Sequence, residues 1–192
     1  MPATSLEIYL DTETQRAAGE VPGGWNNIPG FGLAVAVTWD STAGFREWFE
    51  DQVPALVNVL AAAERVVTFN GERFDFPVLS AYAPVEALYG KSFDVLVDLK
   101  RRLGYRVSLQ SLAQATLGRS KSGTGMEALL LWRSGDPGKR RQVVEYCQRD
   151  VELLRDCVAF GRREGYVRVP ALPEKLLTVY VSWATPLSLP LS

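Results

Sequence analysis

The chain has 192 residues, 47% of them hydrophobic, and 21 Lys and Arg balance 22 Asp and Glu. That describes one globular domain with a real core; disorder and membrane spans are excluded, since no run approaches the ~20 apolar residues a span needs. Histidine is absent, which removes Ser-His-Asp and Cys-His nucleophile systems and His-ligated zinc, so that carboxylates, Tyr and Lys must carry any chemistry.

The opening Met-Pro-Ala-Thr-Ser-Leu-Glu has neither the basic region nor the apolar run of a signal peptide. A soluble, cytoplasmic protein is therefore expected. Leu6-Glu7-Ile8-Tyr9-Leu10-Asp11-Thr12-Glu13-Thr14 alternates apolar and polar residues, the period of a strand with two unlike faces. Asp11 and Glu13 leave the same face of such a strand, roughly 6–7 Å apart. Like charges that close repel unless a cation sits between them, and hard oxygen ligands suit Mg²⁺ or Mn²⁺. The alternative is a strand running out into an acidic, solvated turn.

Gln15 to Gly30 holds Pro22-Gly23-Gly24 and Asn26-Asn27-Ile28-Pro29-Gly30 and reads as a long loop. Its one large aromatic, Trp25, is expected to cap the core, with stacking on a nucleobase as the alternative. Phe31 to Trp39 and Gly44 to Phe49 form an antiparallel hairpin, Pro54 to Glu64 a helix, and Arg65 to Phe69 a short buried strand ending at Asn70-Gly71. Phe74 to Ala83 begins another helix, which puts Asp75 at a strand-to-helix junction, the crevice where α/β sheets bind ligands. An ordinary early-helix acid is the other reading of Asp75.

Helices are expected over Ser92 to Leu103, Ser108 to Leu117, Met126 to Trp132 and Pro137 to Glu164, with a basic Ser/Gly link from Gly118 to Gly125. On the long helix Tyr146 and Asp150 are four apart and share a face with Val143, Leu153, Leu154 and Cys157. A carboxylate on an apolar stripe needs a partner, from Arg149, a backbone group or a metal shared with the first strand. Cys147 and Cys157 have neither disulfide nor zinc-knuckle spacing and read as small buried residues.

Strand, hairpin, helix and strand in this order give an α/β fold, its mixed central sheet combining an antiparallel hairpin with parallel strands and flanked by helices. The domain is assigned to residues 1–165. Residues 166–192, with Tyr166 to Val169 and Leu177 to Trp183 as candidate strands, form a C-terminal extension that packs on the same domain, on a protein partner or on a second copy of the chain.

Charge is uneven along the chain. Residues 1–99 carry 14 acidic and 5 basic residues, and 100–149 carry 3 and 11. An acidic metal pocket beside a basic phosphate track has this pattern, and so do solvated helix faces.

Asp11-x-Glu13, Asn70-x-x-x-Phe74-Asp75 and Tyr146-x-x-x-Asp150 resemble, in order, the three motifs of the DEDD exonuclease superfamily. The pattern is most similar to the tyrosine-bearing subclass, as in the proofreading domains of family B DNA polymerases and related stand-alone proteins. Thr68-Phe69 stand before Asn70 where that family usually has Gly-Tyr. The resemblance spans roughly Leu6 to Gly165 and implies a ribonuclease H-like fold.

It also implies 3′→5′ removal of nucleotides from single-stranded DNA or RNA, DNA favoured, through two divalent ions, Mg²⁺ or Mn²⁺, about 3.5–4 Å apart. By this resemblance Asp11, Glu13 and Asp150 hold the first ion, Asp11 bridges to the second, and Asp75 holds the second. Tyr146 orients the attacking water, because a phenol of ordinary pKa near 10 is a poor base at neutral pH. Thr12, Thr14, Asn70 and Phe74 are candidate substrate-binding residues, Asn70 and Phe74 by shaping the strand's path, with a pure core role the alternative for Phe74. Arg101, Arg102 and Lys121 are candidate phosphate contacts, as are Lys100, Arg106, Arg119, Lys139, Arg140 and Arg141, some of them being ordinary solvated helix charges. The alternatives are an inactive nucleic-acid-binding or partner-docking module of the same fold, and an endonuclease.

Overall fold

The computed structural model describes residues 6–120, 123–171 and 175–183. Strand β1 (Glu7–Thr14) is followed by β2 (Leu33–Asp40), β3 (Gly44–Trp48), α1 (Val53–Ala62) and β4 (Arg65–Thr68). Then come α2 (Asp75–Leu79), α3 (Glu86–Tyr89), β5 (Ser92–Asp94), α4 (Val95–Leu103) and α5 (Leu109–Leu117). The chain continues through α6 (Gly125–Arg133), α7 (Pro137–Glu164), β6 (Tyr166–Ala171) and β7 (Lys175–Tyr180). The first five strands form one mixed sheet in the order β3-β2-β1-β4-β5. β2 is antiparallel to both β1 and β3, while β4 runs parallel to β1 and to β5.

β1 is the central strand, and its period-2 alternation divides the core. Tyr9 joins Val35, Val37 and Val67 in a layer against α4, α5 and α7. Ile8 and Leu10 point the other way, into a layer with Leu56 and Leu60 of α1 and with Phe76 and Leu79 of α2. Each such fully buried side chain contributes about 1.5–3 kcal/mol through removal from water. The expected fold class is the one observed.

Three expectations differ locally. Residues 92–94 are strand, because Ser92 to Asp94 pair in parallel with Val66 to Thr68 and the helix begins only after Asp94 has capped it. The helix expected from Phe74 to Ala83 stops at Leu79, and a separate short helix, α3, follows. The long loop is largely ordered into short 3₁₀ turns at Ala18–Glu20, Gly24–Asn26 and Ile28–Phe31, so β2 starts at Leu33 and not at Phe31. Val21, Ile28 and Phe31 anchor those turns in the α1–α2 layer.

α7 spans about 42 Å at 1.5 Å per residue. Asp136 caps it by accepting the Lys139 N–H at 2.9 Å, Pro137 occupies its first turn, and Gly165 closes it at φ +74°. β6 and β7 form a separate antiparallel pair. Beyond β7, the Trp183 indole is buried over Gly161, so closely that a Cβ there would lie 2.5 Å from the ring. Its N–H donates to Asp98 of α4 at 2.8 Å. Among the described residues, no helix is long and apolar enough to cross a membrane.

Candidate active site

The alternation of β1 places Asp11 and Glu13 toward α7, where Asp150 faces them from a buried position. One carboxylate oxygen from each of the three lies within 4.8 Å of the others. Three anionic oxygen donors at that spacing fit a hard divalent cation such as Mg²⁺ or Mn²⁺, whose coordination sphere offsets their mutual repulsion. One turn before Asp150, the buried Cys147 thiol lies 3.3 Å from the Asp11 main-chain oxygen and 3.4 Å from its carboxylate. Burial, reinforced by the Asp11 and Glu13 charges, pushes that thiol well above its usual range. It therefore stays protonated and adds no fourth anion.

Thr12, between the two carboxylates in sequence, leaves the opposite face of β1. Its hydroxyl donates to Asp75 of α2 at 2.6 Å. Asp75 is therefore outside the trio, although it lines the same cleft. Burial pushes its carboxyl up to about 7, against the Thr12 hydrogen bond, which lowers it, and with repulsion from Asp94, which raises it. The cleft has a volume of about 580 Å³ and runs between the end of β1, the 17–31 loop and helix α6. Tyr146, Thr14, Phe74, Trp25 and Arg16 also line it.

The turn that aims Asp75 is built on Asp94, which the sequence reading missed. Its buried carboxylate accepts the N–H groups of Asn70 at 2.9 Å and Glu72 at 3.2 Å, and those of Leu96 and Val97 at the start of α4 at 3.0 and 3.2 Å. One side chain thus caps a helix and clamps the turn before α2. Asn70 takes the left-handed conformation at φ +75°, which Asn tolerates better than most residues. Gly71 passes so close to Thr68 that a Cβ would meet it at 2.4 Å. The only prior signal for Asp94 was its position before an amphipathic run, where an N-cap residue belongs.

Asp11, Glu13, Asp150, Asp75, Tyr146, Thr12, Thr14 and Phe74 all line one cleft. Asn70 does not; its side chain accepts from Arg106 at 3.0 Å. Nor do Arg101 and Arg102 line it. Arg101 is exposed on α4, and Arg102 is paired with Asp98 at 2.8 Å and donates to the Tyr180 carbonyl at 3.0 Å. Lys121 lies outside the described residues. Of the remaining basic residues, Arg119 pairs with Asp156, Arg141 with Glu47 at 2.6 Å, and Arg140 stacks on Trp132 at 4.7 Å. Among the described residues, the cation that lines the cleft is instead Arg16, two residues past Thr14. Trp25, expected to cap the core, is 64% exposed.

Residues 8–158 match the family model of the RNase_H superfamily, which is most of the chain. The protein belongs to that superfamily. Among solved structures, this RNase_H-superfamily chain is similar to the family B DNA polymerase from the hyperthermophilic archaeon Pyrobaculum calidifontis, at 15% identity and a TM-score of 0.61. The alignment covers 85% of this chain and 25% of the polymerase, so the chain spans about a quarter of that protein's length. The likeness is one of fold. No curated protein matches the sequence significantly.

Proposed function

We propose that the protein is a metal-dependent 3′→5′ exonuclease acting on single-stranded nucleic acid, with DNA favoured over RNA. The observation that carries the reading is the convergence of Asp11, Glu13 and Asp150 to within 4.8 Å in a cleft also lined by Asp75 and Tyr146. Membership of the RNase_H superfamily and likeness to a DNA polymerase support it.

Asp11, Glu13 and Asp150 would hold one divalent ion and Asp75, with Asp11, a second; two such ions supply charge stabilisation to the attacking and leaving oxygens of phosphodiester hydrolysis. The chain's own residues do the rest. Tyr146, buried on α7 beside Asp150, orients the attacking water with its hydroxyl. Thr12 holds the Asp75 carboxylate in place by its 2.6 Å hydrogen bond. Arg16, at the cleft edge, neutralises a substrate phosphate. Residues 166–171 and 175–183 belong to this reading as an extension packed on the nuclease domain, supported by the seating of Trp183 on Gly161 and Asp98.

The test is degradation of a 5′-labelled single-stranded oligonucleotide with Mn²⁺, with and without chelator. A ladder shortening from the 3′ end is expected, abolished by chelator, by Asp11→Asn and by Asp150→Asn, with circular dichroism unchanged. Undiminished activity in Asp150→Asn would overturn the metal site, and cutting of a circular strand would replace exonuclease with endonuclease.

A further inference from the structure

The β6–β7 pair has two unlike faces. Val167, Val169, Val179 and Val181 are buried against the layer of α5 and α7. The alternate positions Arg168, Pro170, Leu176, Thr178 and Tyr180 are exposed. Tyr166 and Tyr180 are register partners across the pair. The Val181 N–H donates to the Gly165 carbonyl at 2.9 Å, so the odd-numbered residues of β7 carry the bonds to β6. Tyr166 and Tyr180 therefore face each other as the close, non-hydrogen-bonded kind of pair. The outer face carries two phenols side by side, and Tyr180 is 76% exposed.

That face is held rigidly and flanked by cations. Phe160 of α7 braces Tyr166 edge-on, with ring centres 5.6 Å apart and planes at 85°. Thr116 of α5 clamps the Arg168 main chain, accepting its N–H at 3.0 Å and donating to its carbonyl at 2.8 Å. The Arg168 guanidinium lies 5.6 Å from the Tyr166 ring centre and, among the described residues, meets no carboxylate. On the far side of the pair, α4 ends in Lys100, Arg101 and Arg102, all exposed, and Arg102 reaches β7 by donating to the Tyr180 carbonyl at 3.0 Å. Of the acids flanking these residues in sequence, Asp98 holds Arg102 and Glu164 holds Arg163 at 2.6 Å. Strand propensity accounts for an exposed tyrosine. It does not account for cations on both sides of a tyrosine pair. Rings interleaved with an excess of positive charge on an open ribbon match a polyanion that carries planar bases.

We propose that the outer face of β6 and β7, with Lys100 and Arg101 beside it, is an exosite that binds single-stranded nucleic acid away from the cleft. Bases lie on Tyr180 and Tyr166, and phosphates meet Arg168 and the end of α4. This takes its ligand class from the nuclease reading above and adds to it a dependence on strand length. Phe160 sits on α7 about 15 Å past Asp150, at 1.5 Å per residue, so the face is remote from the carboxylates. A strand of on the order of 10 nucleotides or more can occupy both places, and the second contact then adds avidity. A strand that fills only the cleft gains nothing from it.

The experiment uses the full chain and single-stranded oligonucleotides of about 4 and about 20 nucleotides. Equilibrium binding is measured by fluorescence anisotropy with Ca²⁺, and turnover with Mn²⁺. The wild type should bind the long strand roughly tenfold or more tightly than the short one. Tyr180→Ala should remove most of that advantage and leave kcat on the short strand unchanged, and Tyr180→Phe should keep it. Arg168→Ala should reduce the log–log salt slope of long-strand binding by about 0.7, the value for one phosphate contact on a single strand. If Tyr180→Ala and Arg168→Ala keep the full length preference, the exosite is overturned. A wild-type dimer that Tyr180→Ala makes monomeric, with strand binding unchanged, would also overturn it and make the face an interface between copies. Length-dependent binding that the variants abolish, with no strand cleaved, upholds the exosite and overturns the exonuclease reading. Cleavage without any length preference does the reverse.

Discussion

Asp75 and Tyr146 are the two site residues whose surroundings set sharp expectations. Asp75 is buried, and its folded carboxyl is raised to about 7 from 3.8, first by desolvation. A raised folded value means that the group's contribution to stability is fully present below 3.8 and is lost as pH rises through 7. Without divalent ion, wild-type Tm should therefore fall between about pH 4 and about pH 7 relative to Asp75→Asn, which keeps an acceptor for Thr12 and has no charge to bury. Thermal scans in chelator check this; parallel curves for the two proteins would refute it. Tyr146→Phe removes a hydroxyl assigned to positioning, so kcat should drop by roughly tenfold or more with KM within about threefold. A change confined to KM would reassign the phenol to substrate binding.

At the scale of elements, the site is held by short connections. Asp94 ends β5, caps α4 and clamps the Asn70–Glu72 turn through four N–H groups. Asp94→Ala loses the cap and leaves the turn amides without their acceptor, a destabilisation of about 2–4 kcal/mol. Urea unfolding should register that loss, and a drop below about 1 kcal/mol would mean that water replaces the carboxylate at little cost. The aromatic loop depends on its anchors in the same way, since Val21, Ile28 and Phe31 determine where Trp25 stands.

Across the whole molecule, the chain's last described residues close onto its longest helix. Gly161→Ala would drive a methyl into Trp183, whose ring atoms lie 2.5 and 2.7 Å from the new Cβ. A cost of about 1–3 kcal/mol is expected. In a Trp183→Ala background the same substitution should instead stabilise by up to about 1 kcal/mol, because alanine then improves the helix and the contact left, Val181 Cγ2 at 3.2 Å, needs only a small shift. The reversal of sign, read from Tm in the double-mutant cycle, distinguishes packing from propensity. No reversal would mean that the indole does not rest on Gly161.

How much of this was legible in the sequence depends on the range of the interaction. Period-2 alternation put Asp11 and Glu13 on one face, and the four-residue spacing put Tyr146 and Asp150 on another, because local geometry alone fixes both. Placing Asp75 near them took the order of three motifs, since no periodicity relates residue 75 to residue 11. The role of Asp94 was hidden because a three-residue strand beside a helix looks like more helix. The basic track was overread: a count of charges does not say that Arg102 is held by Asp98 or Arg141 by Glu47. Trp25 was misjudged for a related reason, since exposure follows from where a loop's neighbours are pinned and not from the hydrophobicity of its aromatic.

The division of β1 between two layers limits how this protein can change. Deleting or inserting one residue between Leu6 and Asp11 would invert everything downstream in the strand, presenting a hydroxyl to α7 and sinking two anions into the aliphatic layer beneath. Length variation is therefore barred from that segment, and chemistry there can be altered only one side chain at a time.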